Sequence, residues 1–136
     1  MDDLVRTLLE SISDNALILD ENGVVLACNQ AMAKRLGNAP DELVDKNIFD
    51  LFEEPVAKKR MQLFSKALKT GDPLTFRDAT SSGNTFQAWV KPVMSSDSPA
   101  RMVVMTREVD RLARAEEERY RLASAVEQAV EAVILL

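Results

Sequence analysis

Histidine is absent and Cys28 is the sole thiol, and these two facts decide most of the chemistry open to the side chains. Without histidine there is no imidazole general base, no Ser-His or Cys-His nucleophile pair, and no imidazole ligand for zinc or haem. One cysteine cannot build a thiolate metal cage or an intrachain disulfide. Neither a phosphate-cradling GxxxxGK[ST] nor a GxGxxG occurs. Asp and Glu number 22, yet no pair stands apart from a solvated surface. Cys28 could anchor a chromophore or sense redox state. It falls at a strand end, however, where a free cysteine is usually a small buried hydrophobe. The residue types point to binding rather than catalysis.

Two groupings remain. Met32, Phe49, Phe52, Met61 and Phe64 could line a pocket for an apolar or flat ligand, although the same residues make an ordinary core. Lys58, Lys59, Arg60, Lys66 and Lys69 crowd one segment and could hold phosphate or anionic lipid. A net charge of −5 over 136 residues favours a solvated helix face and argues against nucleic acid as a partner. No apolar run approaches the ~20 residues that span a bilayer. The lone cysteine makes a reducing, cytoplasmic setting the expectation.

The elements that would position these residues follow from period and punctuation. Leu4, Leu8, Leu9 and Ile12, widened by Val5, predict an amphipathic helix over Asp3 to Ser13. Ala16 to Leu19 and Val24 to Ala27 are apolar runs around Asn22-Gly23, the mark of a hairpin. Asn29 caps a helix over residues 30–36, and Gly37 closes it. Pro40 with Asp41 and Glu42 starts another helix. Residues 47–52 predict a single helical turn. Pro55 opens a longer helix to Lys69 that buries Ala57, Met61, Phe64 and Leu68, with Gly71 as its cap. Period-2 alternation then predicts strands at Leu74 to Ala79 and Thr85 to Met94, and Arg101 to Arg107 reads as a third strand that is apolar on both faces through Met102, Val103, Val104 and Met105. A hairpin, then helices, then three strands is an α+β arrangement. The five strands are expected in one antiparallel sheet with helices over one face.

The ordered residues Asp20/Gly23, Asn29/Ala31, Leu36/Gly37, Glu42/Leu43 and Lys46, Gly71/Pro73, Gly83 and Val90-Lys91-Pro92 resemble the PAS family over about Leu8 to Arg121. The family glycine before the lysine is Asp45 here, a residue that tolerates left-handed backbone. The family's closing Asp-Ile-Thr corresponds to Glu108-Val109-Asp110, where Asp110 can cap a following helix. The resemblance implies a sensing and dimerisation module that relays a conformational signal through this junction to an output domain in the same chain. That output is expected to be a histidine kinase, with a cyclic-dinucleotide enzyme as the alternative. It also implies no catalysis in these residues. Haem and a covalently held flavin are not expected, because relatives that carry them use a histidine or a cysteine in the cover helices. A noncovalent flavin or apolar ligand stays open as a competing function.

The expected organisation is a flanking helix at 1–13, a PAS core at 14–109 and a signalling helix at 110–136. Residues 126–136 resemble the chain's own residues 9–19, which predicts the start of a second such domain. The terminal segment carries overlapping seams of alternating three and four residues beginning at Leu112, as in a coiled coil. Leu4, Leu8, Ile12, Trp89 and Leu112 are the expected contacts of a homodimer, with the helix at 1–13 packed on the sheet or on its twin.

Overall fold

The computed structural model describes residues 2–79, 83–109, 119 and 122–129. The chain runs α1 (Asp3–Glu10), β1 (Asn15–Asp20), β2 (Val25–Cys28), α2 (Gln30–Arg35), α3 (Pro40–Leu43), a 3-10 turn (Ile48–Leu51), α4 (Glu54–Thr70), β3 (Leu74–Ala79), β4 (Thr85–Val93) and β5 (Arg101–Val109). The strands form one antiparallel sheet in the order β2-β1-β5-β4-β3, as expected. β1 therefore lies between the hairpin partner β2 and the last strand β5. Asn15 is opposite Thr106, and Asp20 is opposite Arg101. The chain divides into two compact units, Met1–Arg77 with Gln87–Arg107, and Asp78–Phe86 with Glu108–Leu136. The core and the site described below belong to the first. In the second, residues 122–129 are helical, with Leu122 and Val126 exposed.

Alternation along β1 sends its side chains to two cores. Leu17 and Leu19 join Val25, Met32, Leu43, Phe64, Val90, Met102 and Val104 beneath the cover helices. Ala16 and Ile18 face the other way, where Val5 and Leu9 of α1 and the following Ile12 cover them together with Ala27 and Met105. α1 thus packs on its own sheet. It is shorter than the expected Asp3 to Ser13: the Ser11 N–H makes the last i→i−4 bond, to the Thr7 carbonyl, the Ile12 N–H tightens to the Leu9 carbonyl, and the chain then extends toward β1. The expected single apolar face is also divided. Val5, Leu9 and Ile12 pack on the sheet, while Leu4 and Leu8 stay 80% and 68% exposed.

The hairpin turn differs from a two-residue Asn-Gly turn. Gly23 N–H donates to the Asp20 carbonyl at 3.1 Å, and Asp20 N–H donates to the Val24 carbonyl at 2.9 Å. Of the turn residues only Gly23 has positive φ, 90°. This is a type I turn closed by a left-handed glycine, and Asp20 Oδ1 stabilises it by accepting from the Asn22 and Val24 N–H groups. The turn docks on the segment before the 3-10 turn: Ile48 N–H donates to the Gly23 carbonyl, and Asn47 Nδ2 donates to that of Asn22. A Cβ at Gly23 would meet the Phe49 ring, with Cδ2 at 2.7 Å. Asp45 takes φ 73°, the left-handed conformation expected of it.

α4 buries Ala57, Phe64 and Ala67, with Leu63 and Leu68 against the core. Met61 corrects the expectation that it shares this face, being 51% exposed. The stripe facing the core is centred between Phe64 and Ala67, with Leu63 beside it. At 3.6 residues per turn, Met61 then falls roughly 80° from the centre of the buried stripe.

Candidate functional site

Pairing of Asn15 with Thr106 brings the preceding Asp14 beside the following Arg107 at one end of the sheet. Arg107 Nε donates to Asp14 Oδ1 at 2.9 Å and Nη2 donates to Oδ2 at 3.0 Å. This two-pronged geometry fixes direction as well as distance. Arg107 is 62% exposed at its side chain and Asp14 is 22% exposed. The hydrogen bond to Asp14, and then its charge, push the Arg107 pKa above its ordinary value. The guanidinium carbon also lies 5.9 Å from the centre of the Trp89 ring on β4, within cation-π reach. The pair stands one residue before Glu108.

A second layer ties this end of the sheet to the helices. Arg35 Nη1 of α2 donates to Thr106 Oγ1 at 3.1 Å. Oriented to satisfy both ends of its amide, Asn15 donates to the Ala31 carbonyl and accepts from Thr106 Oγ1 and Arg35. Asn29 is only 1% exposed and all its bonds are made. Its Oδ1 accepts from Met32 N–H, capping α2 at 2.9 Å, and from Ala16 N–H at 3.1 Å. Its Nδ2 donates to the carbonyls of Leu9 at 3.2 Å and Asp14 at 2.9 Å. Glu10 Oε1 accepts from the Gln30 N–H at 2.7 Å. The end of α1, the start of β1, the start of α2 and the end of β5 are therefore fastened together. Asp14 belongs to both layers: Asn29 holds its carbonyl and Arg107 holds its carboxylate.

The expected ligand-lining residues divide. Met32, Phe49, Phe52 and Phe64 meet in the main core. Phe49 and Phe64 contact edge to face with centroids 5.4 Å apart, and the Arg60 guanidinium lies 4.2 Å from the Phe52 centroid. Met61 is not among them, lying instead on the outer face of α4. Cys28 is buried with Sγ 3.8 Å from the Pro40 carbonyl, and burial foremost, then Glu10 and Asp41, raises its pKa. Of the junction residues, Glu108 is exposed and Val109 half-buried, while Asp110 lies outside the described residues. Of the expected dimer contacts, Ile12 and Trp89 are half-buried, and Leu112 lies outside the described residues.

Asp14, Arg107 and the long reach of Asn29 were not anticipated from the sequence. Opposite charges flanking the ends of two strands are the one signal that could have marked the first pair. Among the described residues, no helix is long and apolar enough to cross a membrane.

The family model described as PAS fold matches residues 3–108. No curated protein matches the chain. Among solved structures, a domain of an HTR-like protein from Haloarcula marismortui is 27% identical, with a TM-score of 0.63 over 71% of this chain and 98% of that one. The PAS domain of Bordetella pertussis BvgS aligns with a TM-score of 0.70 at 14% identity, over 90% of this chain and 96% of that one. A sensory box sensor histidine kinase from Vibrio cholerae aligns with a TM-score of 0.62 at 18% identity, over 78% of this chain and 89% of that one.

Proposed function

We infer a function from one premise: the chain belongs to the PAS family. PAS domains are sensory modules, so a signal-sensing role follows from the family. Our finer reading is that two copies pair and pass a conformational signal from the core through the end of β5 into the segment beyond Asp110. An output domain in the same chain, such as a histidine kinase, would receive it. The neighbour from Vibrio cholerae is a sensor histidine kinase, which supports that choice of output over a cyclic-dinucleotide enzyme.

The observation that carries the reading is the Asp14–Arg107 pair. It connects the strand that starts the fold to the strand that leaves it, directly before Glu108. An exposed ion pair adds little stability because water and salt screen it and ordering two side chains costs entropy. It can be made and broken at small cost, and breaking it frees the last residues of β5 from β1. On this reading the junction would have two arrangements separated by a small free energy, which a sensory relay requires.

Pairing of two copies is supported by Leu4 and Leu8. They lie one helical turn apart on α1, and the sheet beneath does not use them. An isologous contact between two copies would bury these leucines of both helices. A bound core ligand has less support, because the Phe49 ring is already in contact with Phe64 and abuts Gly23. Native mass spectrometry of the purified chain tests both points. The expected species is the ligand-free dimer at twice the 15.1 kDa chain mass. A monomer at all micromolar concentrations would overturn the pairing, and a stoichiometric extra mass would favour a bound ligand.

A further inference from the structure

α4 is the cationic part of an acidic molecule. Lys58, Lys59, Arg60, Lys66 and Lys69 against Glu54 give it a net +4, while the whole chain carries −5, leaving −9 elsewhere. The positive charge is also grouped by direction. Arg60 turns back over Phe52, whereas Lys58, Lys66 and Lys69 line an open groove on the outer face with Met61 and Ser65. Among the described residues no carboxylate pairs with Lys58, Lys66 or Lys69. Met61 supplies an exposed, adaptable apolar floor. The lysine row extends about 16 Å along the helix, three turns at 1.5 Å per residue.

We propose that the outer face of α4 docks an acidic amphipathic helix of a protein partner. This goes beyond the relay reading and does not depend on it. The charge pattern matches that occupant: apolar side chains of the incoming helix lie over Met61 and the lysine stems, and its flanking carboxylates meet the ammonium groups. A membrane surface fits less well, because the face has one large apolar residue and no aromatic anchor. Nucleic acid fits less well, because −9 on the rest of the chain opposes phosphate. One helix face buries less than a standard interface, so the contact is weak, transient and sensitive to salt.

The test uses the whole 136-residue chain and three synthetic helical peptides of about 18 residues, enough to cover the row. They share an apolar seam and differ in flanks of Glu, Gln or Lys. Binding is read by backbone amide shifts, with phosphatidylglycerol vesicles as a separate arm. The Glu peptide is expected to shift amides of residues 57–70 and to bind about tenfold or more tighter than the Lys peptide, with affinity falling as salt rises. Joint substitution Lys58→Glu, Lys66→Glu and Lys69→Glu should reverse the peptide preference while leaving the melting curve cooperative. The peptide comparison on the unaltered chain stands even if that variant fails to fold. No preference among the peptides, shifts that map away from α4, or binding to vesicles without binding to the Glu peptide would each overturn the proposal.

Discussion

Replacing Asn29 by Asp changes one NH2 group to an oxygen and leaves the shape of the side chain almost intact. The Oδ1 bonds from Met32 and Ala16 survive, so α2 keeps its cap. The Nδ2 bonds to the Leu9 and Asp14 carbonyls do not. Each loses a donor inside the protein, and a buried polar group without a partner costs about 1–3 kcal/mol. Both carbonyls would then face a carboxylate oxygen that has itself left water. Asn29→Asp should therefore destabilise the chain by about 3–5 kcal/mol at pH 7, a large fraction of the roughly 5–15 kcal/mol typical of a domain. The sign of the pH response is fixed as well. Burial and facing carbonyls raise the carboxyl pKa in the folded state above its unfolded value near 3.9, because only the protonated form donates. The variant's deficit should be smallest below the unfolded pKa and should grow as pH rises through the folded pKa. Urea unfolding of both proteins at several pH values between about 4 and 8 measures this. Hydrogen exchange should show α1 losing protection first, since Leu9 is where α1 is tied. A deficit under about 0.5 kcal/mol at pH 7, or a deficit independent of pH, would refute the reasoning.

Gly23→Ala should cost about 2–4 kcal/mol, because the new methyl meets the Phe49 ring and the residue must hold φ 90°; thermal melting checks it, and an unchanged midpoint would deny the docking of the turn. A double-mutant cycle with Asp14→Ala and Arg107→Ala should change global unfolding little, since the Arg107 side of the pair is exposed, yet each single variant should speed amide exchange in the last residues of β5. Cys28 should resist a thiol reagent at pH 8 and react on unfolding, because it is buried and burial raises its pKa; the same shift means this group's contribution to stability falls as pH rises through the unfolded thiol pKa.

Local chemistry was legible in the sequence wherever a residue acts on its near neighbours. Asn29 as a cap and Gly71 as a helix stop depend on groups a few residues away, and the structure has each; the left-handed Asp45 was implied by the family resemblance, which has glycine there, and the structure has it too. The alternation of Leu74 to Ala79 gave the bounds of β3 without error. Longer-range roles were hidden. Asn29 reaches the Leu9 carbonyl across 20 positions, and Arg107 reaches Asp14 across 93, so nothing local marks either contact. The errors on α1 and α4 share one cause. In both helices more apolar residues occur than one face can hold, and spacing alone does not say which direction the sheet or core selects. At the N-terminus the sheet takes Val5, Leu9 and the following Ile12 and leaves Leu4 and Leu8; on α4 the core takes Phe64 and Ala67 and leaves Met61 outside.

The central proposal is that the segment beyond β5 pairs as a coiled coil between two copies and carries the signal as a phase. Placing this chain ahead of a histidine kinase core and inserting residues between Arg114 and Ala115 tests it directly, with autophosphorylation as the readout. Seven added residues restore the heptad register and should preserve output, whereas four rotate the seam and should lock or scramble it. Equal output from the two insertions would contradict the account and make the segment a simple tether.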